Sequence, residues 1–195
     1  PAVTVGNYVS SSYSMDIATA DFNNDGNADF ISSGNNAFLY IFTGNGDGTF
    51  TKTQLPNAPT TARGKDAADV DNDGNVDFVI GTSGLNNLYL YRGNGDGTFQ
   101  LAQTLNHPFS ELYGVTLADF DNDGNVDIIS SDTNGNGAIY FLQGNGDGTF
   151  QNGVFDRIDL DSYVPSDNFD FDNDGNMDLV IGRYNFATVR WFKGN

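Results

Sequence analysis

An all-β fold assembled from four copies of one antiparallel unit is predicted for this 195-residue chain. Three observations predict it. A nine-residue stretch, Asp-x-(Asp/Asn)-x-Asp-Gly-Asn-x-Asp, starts at Asp21, Asp69, Asp119 and Asp170, at steps of 48, 50 and 51 residues. A second stretch, Gly-Asn-Gly-Asp-Gly-Thr-Phe, recurs at residues 44–50, 93–99 and 144–150. Between these landmarks short apolar runs alternate with Gly-, Asn- and Ser-rich stretches, and no run keeps a helical period. Repeat units share one continuous core, so residues 1–195 read as a single domain.

Each repeat yields four strands. The first is small and apolar, as at residues 17–22 and 115–120. The Asp-rich stretch follows as a loop. The second strand is a short apolar run at residues 30–31, 78–80, 128–129 and 179–181, and apolar residues in succession imply burial on both faces. The third covers residues 38–42, 88–91, 139–142 and 189–192. The glycine stretch then makes a tight hairpin, since its glycines allow positive φ. The fourth strand, at residues 51–55, 100–105 and 154–160, is more polar and suits a sheet edge facing water.

Four short strands in about 50 residues is the size of a propeller blade, whereas solenoid rungs are shorter and need no polar fourth strand. The blades span about 16–62, 63–112, 113–163 and 164–195 together with 1–10. Pro1 falls at the phase of the Phe that closes each hairpin turn, and the last repeat stops inside that turn. Residues 2–5 are therefore a fourth strand without a blade. The predicted fold is a four-bladed β-propeller closed by a one-plus-three seam, in which this N-terminal strand completes the last blade. The same phase allows residues 2–5 to complete the last blade of a neighbouring chain, giving a ring or filament. Local closure costs less entropy, which favours the monomer.

The formal charge is −18, and Glu111 is the only glutamate. Acid supplied by Asp alone belongs to turns, where a short side chain reaches its own backbone. The four loops hold 15 of the carboxylates, and four divalent cations would bring the charge to −10. Eight Lys and Arg residues, unclustered, argue against nucleic acid as a partner. The absence of Cys excludes a disulfide framework, a thiolate metal site and a Cys nucleophile. No apolar run is long enough to insert in a membrane, and Pro1 opens no signal peptide, so the chain reads as a mature or excised domain.

Ca²⁺ takes six to eight oxygens from alternate residues of a tight loop, with glycine at position six. Positions one, three, five and nine supply side chains here: Asp21, Asn23, Asp25 and Asp29; Asp69, Asp71, Asp73 and Asp77; Asp119, Asp121, Asp123 and Asp127; Asp170, Asp172, Asp174 and Asp178. Position seven, Asn27, Asn75, Asn125 or Asn176, can offer a backbone carbonyl. About four Ca²⁺ ions are expected, one per repeat. The first site, with Asn23 in place of a carboxylate, should be the weakest. An EF-hand needs a bidentate Glu at position twelve and a following helix, and neither is present. Asx-rich turns that need no metal are the competing account. Four acidic copies favour calcium, because unneutralised carboxylates repel. The calcium is expected to be structural.

With these residues in view, the chain resembles the FG-GAP/VCBS repeats of integrin-α-like β-propellers. The Asp loop between the first two strands and the Asn-Gly-Asp-Gly-Thr-Phe turn after the third carry the resemblance over essentially the whole chain. It implies calcium-clamped blades in secreted or cell-surface proteins used for adhesion or carbohydrate binding. Such propellers usually have seven blades and sometimes eight, so two chains pairing into eight is an alternative. Some polysaccharide lyases use similar repeats.

Strand order puts the Asp loops and glycine turns at one face and the variable loops at the other. Those loops carry Tyr13, Arg63, His107, Tyr113, Tyr163 and Tyr184 as candidate ligand contacts, since aromatics among amides suit sugar rings. The bland account of each is a plug between blades. His107 is the only histidine, and nothing in the sequence supplies it with a catalytic partner set. The expected function is a non-catalytic, calcium-stabilised extracellular binding or adhesion module, for glycan or another surface protein. The alternatives are a structural subunit assembled by strand exchange or blade pairing, and a lyase fragment.

Overall fold

The computed structural model describes residues 14–34, 38–108, 111–132, 138–151, 153–157, 163–183 and 189–194. Within them lie four successive antiparallel sheets. The first holds β1 (Ser14–Ala20), β2 (Asp29–Gly34), β3 (Leu39–Gly44) and β4 (Phe50–Gln54). The second holds β5 (Ala62–Ala68), β6 (Asp77–Thr82), β7 (Asn87–Gly93) and β8 (Phe99–Asn106). The third holds β9 (Leu112–Ala118), β10 (Asp127–Asp132), β11 (Ala138–Leu142) and β12 (Val154–Arg157). The last holds β13 (Tyr163–Phe169), β14 (Asp178–Arg183) and β15 (Val189–Phe192). Every sheet runs in chain order, as a meander. Among the described residues no helix is long and apolar enough to cross a membrane.

The apolar pattern explains the middle strands. β6 and β10 are buried at every position, as two-sided burial requires. In β4 every residue after Phe50 is exposed, which fits a polar edge. The first strands differ from the sequence-based expectation. They begin earlier, at Ser14, Ala62 and Leu112, and stop at Ala20, Ala68 and Ala118, before the acidic loop. Phe22 and Val70 lie beyond them, buried, each donating its N–H to an aspartate rather than to a neighbouring strand.

Neighbouring sheets pack face to face. Phe22, Ile31 and Ile41 of the first pack with Phe78, Ile80 and Tyr91 of the second. Val79, Leu88 and Leu90 meet Leu112, Ile128 and Leu142. Ile129 and Phe141 meet Leu179, Ile181 and Phe192. Each fully buried side chain of this kind stabilises by roughly 1.5–3 kcal/mol, so these three interfaces hold the described structure together.

The first strands β1, β5, β9 and β13 lie side by side in that order. Asp16, Lys65, Asp66, Thr116 and Asp167, drawn from all four, line one polar cavity of about 190 Å³. Sheets arranged about a shared inner axis are propeller-like. Inner-strand carboxylates join blade to blade: Asp16 accepts the Lys65 backbone N–H at 2.9 Å, and Asp66 accepts that of Leu117 at 2.8 Å. The seam strand expected at residues 2–5 lies outside the described residues.

Candidate metal centres

All four acidic loops fold alike, and the cause is local. The position-one carboxylate accepts two backbone N–H groups from its own loop. Asp119 takes those of Asp123 at 3.1 Å and Gly124 at 2.9 Å, and Asp21, Asp69 and Asp170 do the same. The chain turns through two left-handed residues, an Asn at position four (φ 56 to 60) and the glycine at position six (φ 85 to 91). Asn tolerates that region and glycine occupies it without steric cost.

Position nine has a different task. Asp29, Asp77, Asp127 and Asp178 are buried, and each staples the loop to the glycine turn. In the second repeat Asp77 accepts Val70 N–H at 3.0 Å and Gly93 N–H at 2.9 Å. The same pair of bonds recurs at Asp29, Asp127 and Asp178. The turn must lie close for this. A Cβ on Gly44, Gly93, Gly144 or Gly194 would overlap the position-eight carbonyl oxygen.

Positions one, three and nine bring oxygens within 4.8 Å of one another in three loops: Asp69, Asp71 and Asp77; Asp119, Asp121 and Asp127; Asp170, Asp172 and Asp178. The first loop, with Asn23 at position three, forms no such three-carboxylate group. Position five stands beside the cluster. Burial, with Asp71 and Asp73 nearby, pushes the Asp77 carboxyl up to about 6. Burial likewise raises Asp127, and Asp121 and Asp123 add to it. A divalent cation at the cluster would reverse that repulsion. Hard, closely set oxygens fit calcium, so the residues present suit the ion.

In the last three repeats the residue just before the glycine turn also reaches the acidic loop, and the sequence reading passed over it. Lys193 Nζ lies 2.5 Å from Asp172 and 2.8 Å from Asp174. Gln143 Nε2 donates to Asp121 at 2.5 Å and to Asp123 at 3.3 Å. Arg92 Nε lies 3.0 Å from Asp71. In the first loop Asn23 itself donates to Asp25 at 2.9 Å. The available signal was positional, because Arg92, Gln143 and Lys193 share one register in their repeats. The position-seven asparagines Asn75 and Asn176 accept side-chain bonds from Asn24 and Asn122 of the preceding blade, at 3.0 and 2.6 Å.

The proposed ligand residues have mixed placements. His107 is buried, with Nε2 2.8 Å from Ser130 Oγ and its ring edge-on to Tyr140 at 4.6 Å, so it joins the second and third blades. Arg63 is buried over the Tyr113 ring, 5.4 Å from its centre. Tyr163 starts β13. Tyr13 and Tyr184 lie outside the described residues.

The model of the FG-GAP-like repeat matches residues 21–80 and 69–130. No curated protein matches the chain. Among solved structures, a lectin of Agrocybe aegerita, described as recognising non-reducing terminal N-acetylglucosamine, superposes with a TM-score of 0.58 at 21% identity. The likeness covers 91% of this chain and 51% of that one, so this chain spans about half the length of the structure it matches. Two overlapping matches that cover more than half of the chain, each running from one acidic loop through the next, place it in the FG-GAP-like repeat family.

Proposed function

We propose that this chain is a calcium-clamped β-propeller module, secreted or displayed at a cell surface, that binds a partner without catalysing a reaction. The observation that carries the reading is the identical fold of the acidic loops, with carboxylates from positions one, three and nine drawn within 4.8 Å in three of them. A repeated site of this kind acts as a fastener. Position one shapes the loop, position nine binds it to the glycine turn, and the ion neutralises the charge left between them. When bound, calcium supplies cross-linking and charge neutralisation, and each ion that binds only the native state adds stability.

A glycan is the ligand class this reading favours. The likeness to a lectin supports it, as does the concentration of Tyr, Asn and Asp in the variable loops. Buried His107 and Arg63 serve as plugs between blades, which moves the search for ligand contacts to the loops around them. A glycan array probed in calcium and again in EDTA tests both halves. Calcium-dependent binding of a defined sugar is expected. Absence of any bound sugar in calcium would defeat the glycan reading and leave the clamp untouched.

A further inference from the structure

The acidic loops and the glycine turns are near copies of one another, but the lining of the axial cavity is not repeated. Asp16 enters it from β1, Lys65 and Asp66 from β5, Thr116 from β9 and Asp167 from β13. Asp66, Thr116 and Asp167 stand three residues before their acidic loops, where the first repeat has Ala18. At the place of Lys65 the other repeats carry Ile17, Val115 and Ser166. A fastener needs the same residue in every copy. A lining that changes from strand to strand suits an occupant without fourfold symmetry.

This lining is rich in acceptors. Asp16 accepts the N–H groups of Ile17 and Lys65, both at 2.9 Å. Asp66 accepts those of Ala67 and Leu117 at 2.8 Å and the Thr116 hydroxyl at 3.4 Å. Asp167 accepts the N–H of Asn168 at 2.9 Å. All of these donors are neutral, and a carboxylate offers about four lone-pair sites, so each keeps capacity to accept more. Among the described residues no ammonium or guanidinium lies within ion-pair distance of the three. Burial raises the carboxyls of Asp16 and Asp66, and the charge of Asp16 raises Asp66 further.

The cation of the lining is turned to the main chain. Lys65 is 3% exposed, and its Nζ donates to the carbonyls of Arg63 at 2.6 Å and Asp16 at 3.1 Å. One ammonium against three carboxylates leaves the lining two negative charges in excess. Buried charge without a partner is costly, and a bound cation relieves it. The cavity carboxylates are not drawn together for direct ligation of a metal. Among the described residues, groups of three with oxygens within 4.8 Å of one another occur in the acidic loops instead. The volume of about 190 Å³ is the room of roughly six waters at ~30 Å³ each, enough for a molecule of a few heavy atoms. Ile17 and Asp167 are exposed, so the cavity is open to solvent.

We propose that the axial cavity is a binding site of its own, for a small organic molecule that carries a primary ammonium group. The ammonium is donor-only, as an acceptor-rich lining requires. Its N–H groups bond to the carboxylates of Asp66 and Asp167, and Asp16 adds a third negative charge. Hydrogen bonds between an ammonium and a carboxylate are roughly twice as strong as neutral ones, so the charged end of the ligand fixes its orientation. The site depends on neither the glycan reading nor the calcium clamp, and its test is separate from theirs.

The test is calorimetric titration of the 195-residue chain, in excess calcium, with methylamine, ethanolamine and diaminobutane. Each amine is run beside its neutral counterpart, methanol, ethylene glycol or butanediol. At least one amine should bind at a single site per chain, more than ~10-fold tighter than its counterpart. Asp167→Asn should weaken that binding more than ~5-fold with unchanged circular dichroism, because an amide oxygen keeps the bond to the Asn168 N–H and loses the charge. Asp47→Asn, at an exposed glycine turn, should bind as wild type, which separates the cavity from the general attraction of a chain whose formal charge is −18. No saturable binding of any of the three amines would overturn the proposal. So would equal binding of the neutral counterparts, or binding that Asp167→Asn leaves intact or that Asp47→Asn weakens as much.

Discussion

Replacing Asp77 with asparagine separates the two tasks of the position-nine carboxylate. In the folded chain it accepts two backbone N–H groups, Val70 at 3.0 Å and Gly93 at 2.9 Å, at a fully buried site. Asparagine keeps one oxygen, so one buried N–H loses its acceptor. An unmade buried bond of this kind costs about 1–3 kcal/mol. For a chain of this length each kcal/mol lowers the melting temperature by about 2–4 °C, so a fall of roughly 2–12 °C is expected in EDTA. In calcium the gap should widen, because asparagine also weakens the three-carboxylate cluster of Asp69, Asp71 and Asp77. Thermal melts by circular dichroism, in EDTA and in excess calcium, measure both. Equal melting of wild type and variant in EDTA would refute the staple. An equal gap in both buffers would refute a metal at that loop.

Three further outcomes follow from the same geometry. Lys193→Ala should strengthen calcium binding at the fourth loop in a calorimetric titration, since the ammonium held by Asp172 and Asp174 competes with the ion. Asn23→Asp should tighten the first site, which supplies one carboxylate fewer than the others, and the same titration reads it. Burial lowers the Lys65 ammonium to about 8, so between about pH 8 and 10.5 the unfolded chain binds more protons at this residue than the folded one. Wild type should therefore gain stability relative to Lys65→Met as pH rises through that window, checked by urea unfolding of both proteins.

The legible parts of the fold were those with dense local signals. Four acidic loops, three glycine turns and the paired apolar residues of β2, β6, β10 and β14 are each written in a few adjacent residues. They yielded four sheets of the right strand order. The inner strands were read short because their chemistry is not apolar. Lys65, Asp66, Thr116 and Asp167 face a polar cavity, and residues there are chosen for contacts to the next blade. At the acidic loops the ligand positions were legible, but the double N–H bonding of Asp29, Asp77, Asp127 and Asp178 was not, since it depends on a turn 15 to 17 residues away. Arg92, Gln143 and Lys193 escaped for the same reason. Arg63 and His107 looked exposed because they sit among polar residues, whereas adjacent blades bury them.

The central claim is that the repeated loops are calcium clamps. Calorimetric titration of metal-free protein with calcium, with a melt recorded at each stoichiometry, tests it most directly. Saturation near four ions per chain is expected, the first loop filling last. Occupied sites should raise stability by about 2.7 kcal/mol each at a hundredfold excess over Kd. No binding heat, together with the same melting temperature in calcium and in EDTA, would contradict it and leave the loops as hydrogen-bonded Asx turns.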